Sequence, residues 1–301
     1  MSVINELLQA KESIAESRLA RRRLLQTMVG GGAALIGGGL LAGCSGSGSG
    51  VDSSGVSDAD VLNFALNLEY LEAEYYLRAT LGTGLGAIDS GSGAAPTTGG
   101  SKVTFSTPAF QQYAEEIAAD ELAHVRFLRS ALGGAAVSKP AINLNTSFDA
   151  AANAAGIGPT FDPFADEVSF LLGAFVFEDV GVTAYKGAAP LLSNKTYLEA
   201  AAGILGVEAY HAGTVRTVLY NIGGAAITNA QKISDLRDSV DGPSDDDQGL
   251  TLSGKANIVP TDSNGIAFSR NTSQVLKIVY LGGTSSGGFF PNGLNGTIKS
   301  A

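Results

Sequence analysis

"DELAHV" (Asp120–Val125) and "VEAYHAG" (Val207–Gly213) hold the only two histidines of a 301-residue chain. Each histidine follows a glutamate by three positions, His124 after Glu121 and His211 after Glu208. Both segments lie inside runs of helical period. On the first, Phe110, Tyr113, Ile117, Glu121, His124 and Leu128 fall on one stripe, and on the second Ile204, Glu208, His211, Val215 and Val218 do the same. The polar pairs therefore sit on the faces that should be apolar, and no basic side chain shares those stripes. A carboxylate in a dry interior must be paired, protonated or bound to a cation. Residues three apart on a helix share a face, so each Glu-x-x-His pair can approach one ion. A metal is the natural partner of both pairs.

Working outward, the chain carries four long amphipathic patterns with their own start and stop chemistry. The first runs from Asp58 to Thr80, with Ser57 as N-cap and Gly82 as terminator. The second, Pro108–Leu132, has Thr107 before its proline and Gly133-Gly134 behind it. The third is read as Pro163–Tyr185 after Asp162, with Phe164, Val168, Leu171, Phe175, Glu178, Val182 and Tyr185 in one stripe. The fourth, Lys195–Tyr220, follows Asn194 and stops at Gly223. Four such helices make an all-α four-helix bundle, and the span of about thirty residues from Gly133 to Asp162 predicts a long crossover between helices two and three.

A carboxylate-bridged pair of metals needs one further glutamate from each of the remaining helices. Helix three offers Glu178 in mid-stripe, and helix one offers Glu69, Glu72 and Glu74. Glu74 points away from the stripe of Leu62, Ala65, Leu66, Ala73 and Tyr76, whereas Glu69 lies on it and Glu72 at its margin. Glu69 precedes Tyr76 by seven, as Glu178 precedes Tyr185, which favours Glu69 and makes the bundle two similar halves. Glu72 stays open as the alternative. The expected metal set is Glu69, Glu121, His124, Glu178, Glu208 and His211 around two divalent ions. Tyr70, Tyr75, Tyr113 and Tyr210 read as packing residues, and Asp245-Asp246-Asp247 as a solvated turn.

The ends of the chain read differently. Arg21 and Arg22, followed by Leu24, Leu25 and Gln26, resemble a twin-arginine export motif, and Met28 to Leu41 form a glycine-diluted apolar stretch of signal-peptide length. Leu41-Ala42-Gly43-Cys44 looks like a lipobox that would lipidate Cys44, the one cysteine. On this reading residues 1–43 are a signal peptide, 44–56 an anchored flexible tether, 57–223 the bundle and 224–301 an extension that cannot bury much alone and wraps the bundle. Removing residues 1–43 takes away five Lys/Arg and three Asp/Glu, so 14 basic and 26 acidic residues remain with a formal charge of −12. That surface is unsuited to nucleic acid and suits cations.

Glu69, Glu121 with His124, Glu178, and Glu208 with His211 match the ligand pattern of the ferritin-like superfamily. "NFALNLEYLEAEYYLRA", "DELAHVRFLRSAL", "FVFEDVGVTAY" and "FFPNG" resemble the exported ferritin-like proteins of bacteria and plants called desiccation-related, over roughly Asp58 to Gly296. The resemblance implies a dinuclear iron or manganese centre, with Glu121 and Glu208 bridging and the other four ligands terminal. It implies dioxygen or peroxide as reactants without choosing among ferroxidase, oxygenase, peroxidase and catalase. The anchor, the crossover and the tail set the chain apart from cage-forming ferritins, so a monomer or small oligomer is expected rather than a mineral shell. Two function classes follow: an envelope-anchored di-metal oxidoreductase in stress protection, delivered folded and loaded by twin-arginine export, or a non-catalytic desiccation-related surface protein that retains the bundle.

Overall fold

The computed structural model describes residues 3–13, 16 and 55–301, in two separate units of which the second runs from Gly50 to Ala301. Residues 3–13 are helical. The twin-arginine stretch, Cys44 and the tether up to residue 54 lie outside the described residues.

In the second unit, α1 (Asp58–Leu81) opens with a capping box: the Ser57 hydroxyl accepts from the Asp60 amide, and the Asp60 carboxylate accepts from the Ser57 amide at 3.0 Å. It closes on Gly82, whose φ of 79° is a left-handed turn that favours glycine. After a four-residue turn of helix, α2 (Ala87–Ser90), comes α3 (Pro108–Leu132). The crossover then contains its own short helix, α4 (Thr146–Ala154), before α5 (Glu167–Ala188) and α6 (Lys195–Ile222). α1 packs chiefly along α3, and α5 chiefly along α6. The long connections are stapled by a parallel pair, β1 (Thr97–Thr98) in the first loop against β2 (Ile142–Asn143) in the crossover.

The third helix begins four residues later than its sequence pattern suggests. Asp162 caps only a turn, accepting from the Phe164 amide at 2.9 Å, and the N-cap is Asp166, which accepts from the Val168 and Ser169 amides. The first residue of α5 is recruited elsewhere: the Glu167 carboxylate accepts from the Ser106 and Thr107 amides at 2.9 and 2.8 Å, at the entry of α3. The other half does the same, since Asp58 at the start of α1 accepts from the Ser193 and Asn194 amides at the entry of α6. Each half of the bundle caps the other.

The four helices are not equivalent. In α1 18 of 24 residues are buried and in α5 16 of 22, against 9 of 25 in α3 and 9 of 28 in α6. α1 and α5 are therefore inner helices covered on all sides. By length and composition the stretch Glu167–Leu191 could cross a membrane, but most of it is buried in the protein as the inner helix α5.

The C-terminal extension supplies much of that cover and is more ordered than its weak pattern suggests. α7 (Ala225–Asp241) packs on α5 and α6, and α8 (Thr272–Val279) packs on α7 and α5. β3 (Thr251–Leu252) and β4 (Lys255–Ala256) form a small antiparallel hairpin, and Phe289 and Phe290 of "FFPNG" are buried. The chain end is tied to α1 by Asn67, whose side chain donates to the Asn295 carbonyl and accepts from its amide. The tail docks on an ionic network of three arginines no more than 2% exposed. Arg237 donates to Asp179 of α5 at 2.9 Å and to Asp247 at 2.7 Å, Arg216 of α6 to Asp179 at 2.7 Å, and Arg270 to Asp241 and Asp247 at 2.6 and 2.9 Å. Asp247 is thus no solvated turn residue, because two guanidinium groups hold it in the interior. Removing one partner of a buried pair leaves a charge stranded, at about 3–5 kcal/mol. Asp247→Ala should therefore lower unfolding free energy by about that much, read from the urea midpoint, whereas Asp245→Ala should leave it unchanged.

Candidate metal centre

The outer helices α3 and α6 bring their Glu-x-x-His pairs inward and the inner helices bring the remaining carboxylates. Glu69, Glu121, Glu178 and Glu208 are 0 to 1% exposed, and His124 and His211 are 8% and 5% exposed. The stripes hold at Ile117, Leu128, Ile204, Val215 and Val218, all buried, but Tyr113 and Tyr210 are exposed and do not pack as core. Tyr70 and Tyr75 are buried and donate to the carbonyls of Val137 and Phe170.

Two donor groups form, sharing Glu121. One is Glu69, Glu121, His124 and Glu208, the other Glu121, Glu178 and His211; within each group one donor atom per residue lies within 4.8 Å of the others. His124 Nδ1 is 3.2 Å from Glu69 Oε2, 3.4 Å from Glu121 Oε2 and 3.7 Å from Glu208 Oε1. His211 Nδ1 is 3.0 Å from Glu121 Oε1 and 3.6 Å from Glu178 Oε2. Glu121 thus turns one oxygen to each imidazole. His211 Nε2 lies 3.4 Å from Asp120 Oδ2, where a carboxylate can fix the orientation of the ring. The seven-residue spacing to tyrosine has a crossed outcome: Tyr76 of α1 donates to Glu178 of α5, and Tyr185 of α5 donates to Glu69 of α1.

The donor set fits a metal on an observation independent of the motif. Both oxygens of Glu121, both of Glu208, Glu178 Oε2 and His211 Nδ1 are buried without a hydrogen-bond partner. Nearly all buried polar atoms are satisfied in native proteins, so six orphans converging in one place form a site that a cation could satisfy. The buried Glu/His cluster can bind metal ions.

The three helix-one candidates separate. Glu69 joins the cluster. Glu74 is turned away, held by Arg78 at 2.7 Å, the Leu85 amide and Lys139. Glu72 lies outside both donor groups yet is 6% exposed and shares a wall with Glu208: a Cβ placed on Gly181 would meet Glu208 Oε2 at 2.2 Å and Glu72 Oε1 at 3.5 Å. This fifth carboxylate is the residue the sequence reading leaves at the margin, and its signal was its i+3 spacing from Glu69. Gly181 is required by the room these carboxylates occupy rather than by its backbone angles.

Burial raises the Glu69 carboxyl to about 7 against the pull of His124. Burial, then neighbouring carboxylates, pushes Glu72 and Glu208 well above the ordinary range, and burial raises Glu178 against His211. Burial also acts upward on Glu121, but the two imidazoles overcome it and hold that carboxyl below the usual range. Burial would lower both histidines, but Glu69 and Glu121 push His124 up to about 11, and Glu178, Asp120 and Glu121 push His211 well up.

A ferritin-like domain model matches residues 57–221, more than half of the chain. The chain belongs to the ferritin-like family. Over 274 residues it is 31% identical to the ferritin-like catalase Nec2 of Nesocodon mauritianus, covering 82% of this chain and 87% of that protein. Over 244 residues it is 32% identical to the desiccation-related protein PCC13-62 of Craterostigma plantagineum, covering 73% and 76%. No solved structure gives a significant match.

In this ferritin-like bundle the metal-free state should be sensitive to pH, with a definite sign. Glu69 keeps its proton up to about 7 when folded but loses it near an ordinary 4.5 when unfolded, and Glu72, Glu178 and Glu208 are shifted in the same direction, so rising pH favours the unfolded chain. His124, raised to about 11, and His211, raised in the same direction, keep protons that the unfolded chain releases near 6.5, which continues the loss. The depressed Glu121 acts only below the ordinary carboxylate range. Metal-free protein should therefore lose stability steadily from about pH 5 to about pH 9, and metal-loaded protein should not. Thermal melts of both forms across that range check it.

Proposed function

We propose that this is a di-metal carboxylate protein that binds two divalent ions, iron or manganese, through Glu69, Glu121, His124, Glu178, Glu208 and His211. Its favoured reaction is the disproportionation of two hydrogen peroxides to two waters and one dioxygen. The convergence of orphaned donor atoms carries the metal assignment, and the likeness to a protein named a ferritin-like catalase, across four fifths of the chain, favours this reaction over ferrous oxidation. A bound metal pair would supply the two-electron redox chemistry. The chain's own groups hold and orient. Glu121 presents one oxygen to each half of the site. Tyr76 and Tyr185 fix one oxygen of Glu178 and Glu69 by donating to it, which leaves the second oxygen of each for coordination. Asp120 can accept the Nε2 proton of His211, keeping the Nδ1 lone pair turned inward. Both imidazoles must shed a proton to ligate, so metal affinity should rise with pH.

A second reading, a stress-protective structural protein that holds the bundle without turnover, is favoured by the likeness to a desiccation-related protein. The two are separated by metal analysis and a peroxide assay on one preparation. His124→Ala and His211→Ala should each lose a large part of the bound metal and nearly all dioxygen evolution. Glu69→Gln should be as damaging as Glu178→Gln, while Glu74→Gln should keep full metal. Wild type with two metals and no reaction with peroxide, dioxygen or ferrous iron leaves the structural reading standing.

We further propose an envelope lipoprotein anchored at Cys44 and exported by the twin-arginine route, on the sequence of residues 18–44. Cys44→Ser should shift the protein from the membrane to the soluble fraction and abolish labelling by a lipid precursor.

A further inference from the structure

Two small apolar voids lie end to end beneath the C-terminal extension. The outer one, about 30 Å³, lies among Phe148, Phe161, Ile233 and Val240. The inner one, about 20 Å³, is walled by Leu68, Leu71 and Val180 and ends on Glu72 and Gly181. Val176, Ile278 and Phe289 line both and form the waist between them. At the outer end Ile157, Leu236, Val240 and Leu281 are half-exposed, while every side chain around the inner void is buried. At the inner end Gly181 is the point where Glu72 meets Glu208, and Glu208 belongs to the donor cluster. The two voids thus share one wall and lie between half-exposed side chains at one end and Glu72 with Gly181, beside the donor cluster, at the other.

The chemistry of the walls selects what can travel there. A buried water needs two to four polar partners as well as room of about 10–15 Å³. The outer void has a single charged neighbour, Arg237, whose two terminal nitrogens are engaged by the Phe175 carbonyl, Asp179 and Asp247, so that Nε is its one unpartnered donor, fewer than the two a water needs. Glu72 is the one polar side chain around the inner void. Such cavities stay dry and accept apolar atoms and molecules. Hydrogen peroxide would have to abandon its hydrogen bonds to enter, which is costly. Dioxygen has none to lose.

We propose that this crevice is the passage by which dioxygen moves between solvent and the metal centre. The inference rests on the reading of the site as one that turns over peroxide or dioxygen. Dioxygen is the product in disproportionation and a reactant in any oxidase chemistry, so the passage serves either. It also gives the extension a role in function, because Ile278 and Phe289 of the tail build the waist.

The test uses dioxygen itself, on the full chain. In metal-free protein under dioxygen pressure, the paramagnetic gas should selectively broaden the methyl resonances of Leu71, Val180 and Ile278, compared with Leu219, which is equally buried and lines neither void. Val176→Phe, which fills the waist, should remove the effect at Leu71 and Val180. Val176→Ala, which cannot overpack, should preserve or increase it. In the metal-loaded protein Val176→Phe should slow reoxidation of the reduced centre by dioxygen roughly tenfold with metal content unchanged. No selective broadening in the wild type, or broadening at Leu71 and Val180 that survives Val176→Phe, overturns the passage. Absence of any reaction in metal-loaded wild type overturns the reading of the site instead, and the methyl measurement still decides the passage.

Discussion

Everything in the bundle is arranged around taking Glu121 out of water with neither of its oxygens hydrogen-bonded. A carboxylate in that position is tolerable only between cations, and here it lies between two imidazoles, one facing each oxygen. Glu69, Glu72, Glu178 and Glu208 are packed into the same desolvated space, where like charges oppose one another. The metal-free protein answers by keeping protons on these groups, and cations would answer by replacing the protons. The same constraint accounts for Gly181, since any side chain there would collide with Glu208.

Reciprocity between the halves keeps the arrangement in register. Tyr76 reaches from α1 to Glu178 on α5, and Tyr185 reaches back from α5 to Glu69 on α1. Asp58 holds the entry of α6 while Glu167 holds the entry of α3. Neither half can rotate about its axis without breaking bonds made by the other. The two networks also meet on adjacent residues of α5: Glu178 joins the Glu/His donor cluster, and Asp179 takes Arg216 and Arg237. The docking of the tail on Asp179 therefore helps to set the rotation of α5 that aims Glu178.

The extension is consequently part of the working structure. It completes the burial of α1 and α5, places Arg237 on Asp179, and supplies Ile278 and Phe289 to the apolar voids whose inner one ends on Glu72 and Gly181 beside the donor cluster. Ferritin-like bundles place their metal chemistry between four helices, and in this chain a further layer lies over α5 and beside α1. Access for a small apolar molecule then becomes a property of the tail as much as of the bundle.

The amino-acid order alone determined the four helices, their capping residues at Ser57 and Asn194, the glycine stops at Gly82, Gly133 and Gly223, and the convergence of Glu121, His124, Glu208 and His211, because amphipathic period and capping are local properties. It also singled out Glu178, the one glutamate in the middle of an apolar run. Helix one was less legible for a physical reason: α1 is buried on nearly every side, so a stripe could not tell Glu69, Glu72 and Glu74 apart, and all three are inside. Only the tertiary structure sent Glu74 to Arg78 and Lys139, left Glu72 beside Gly181, and crossed the tyrosines between halves. The start of α5 was misread because the competing cap at Asp166 is chosen once Glu167 is drawn to Ser106 and Thr107, a contact 60 residues away in sequence. Asp247 looked like a turn residue because its partners, Arg237 and Arg270, lie 10 and 23 residues away and meet it only in the folded tail. Local chemistry wrote the elements and their inward faces, and long-range electrostatics decided which buried charges met.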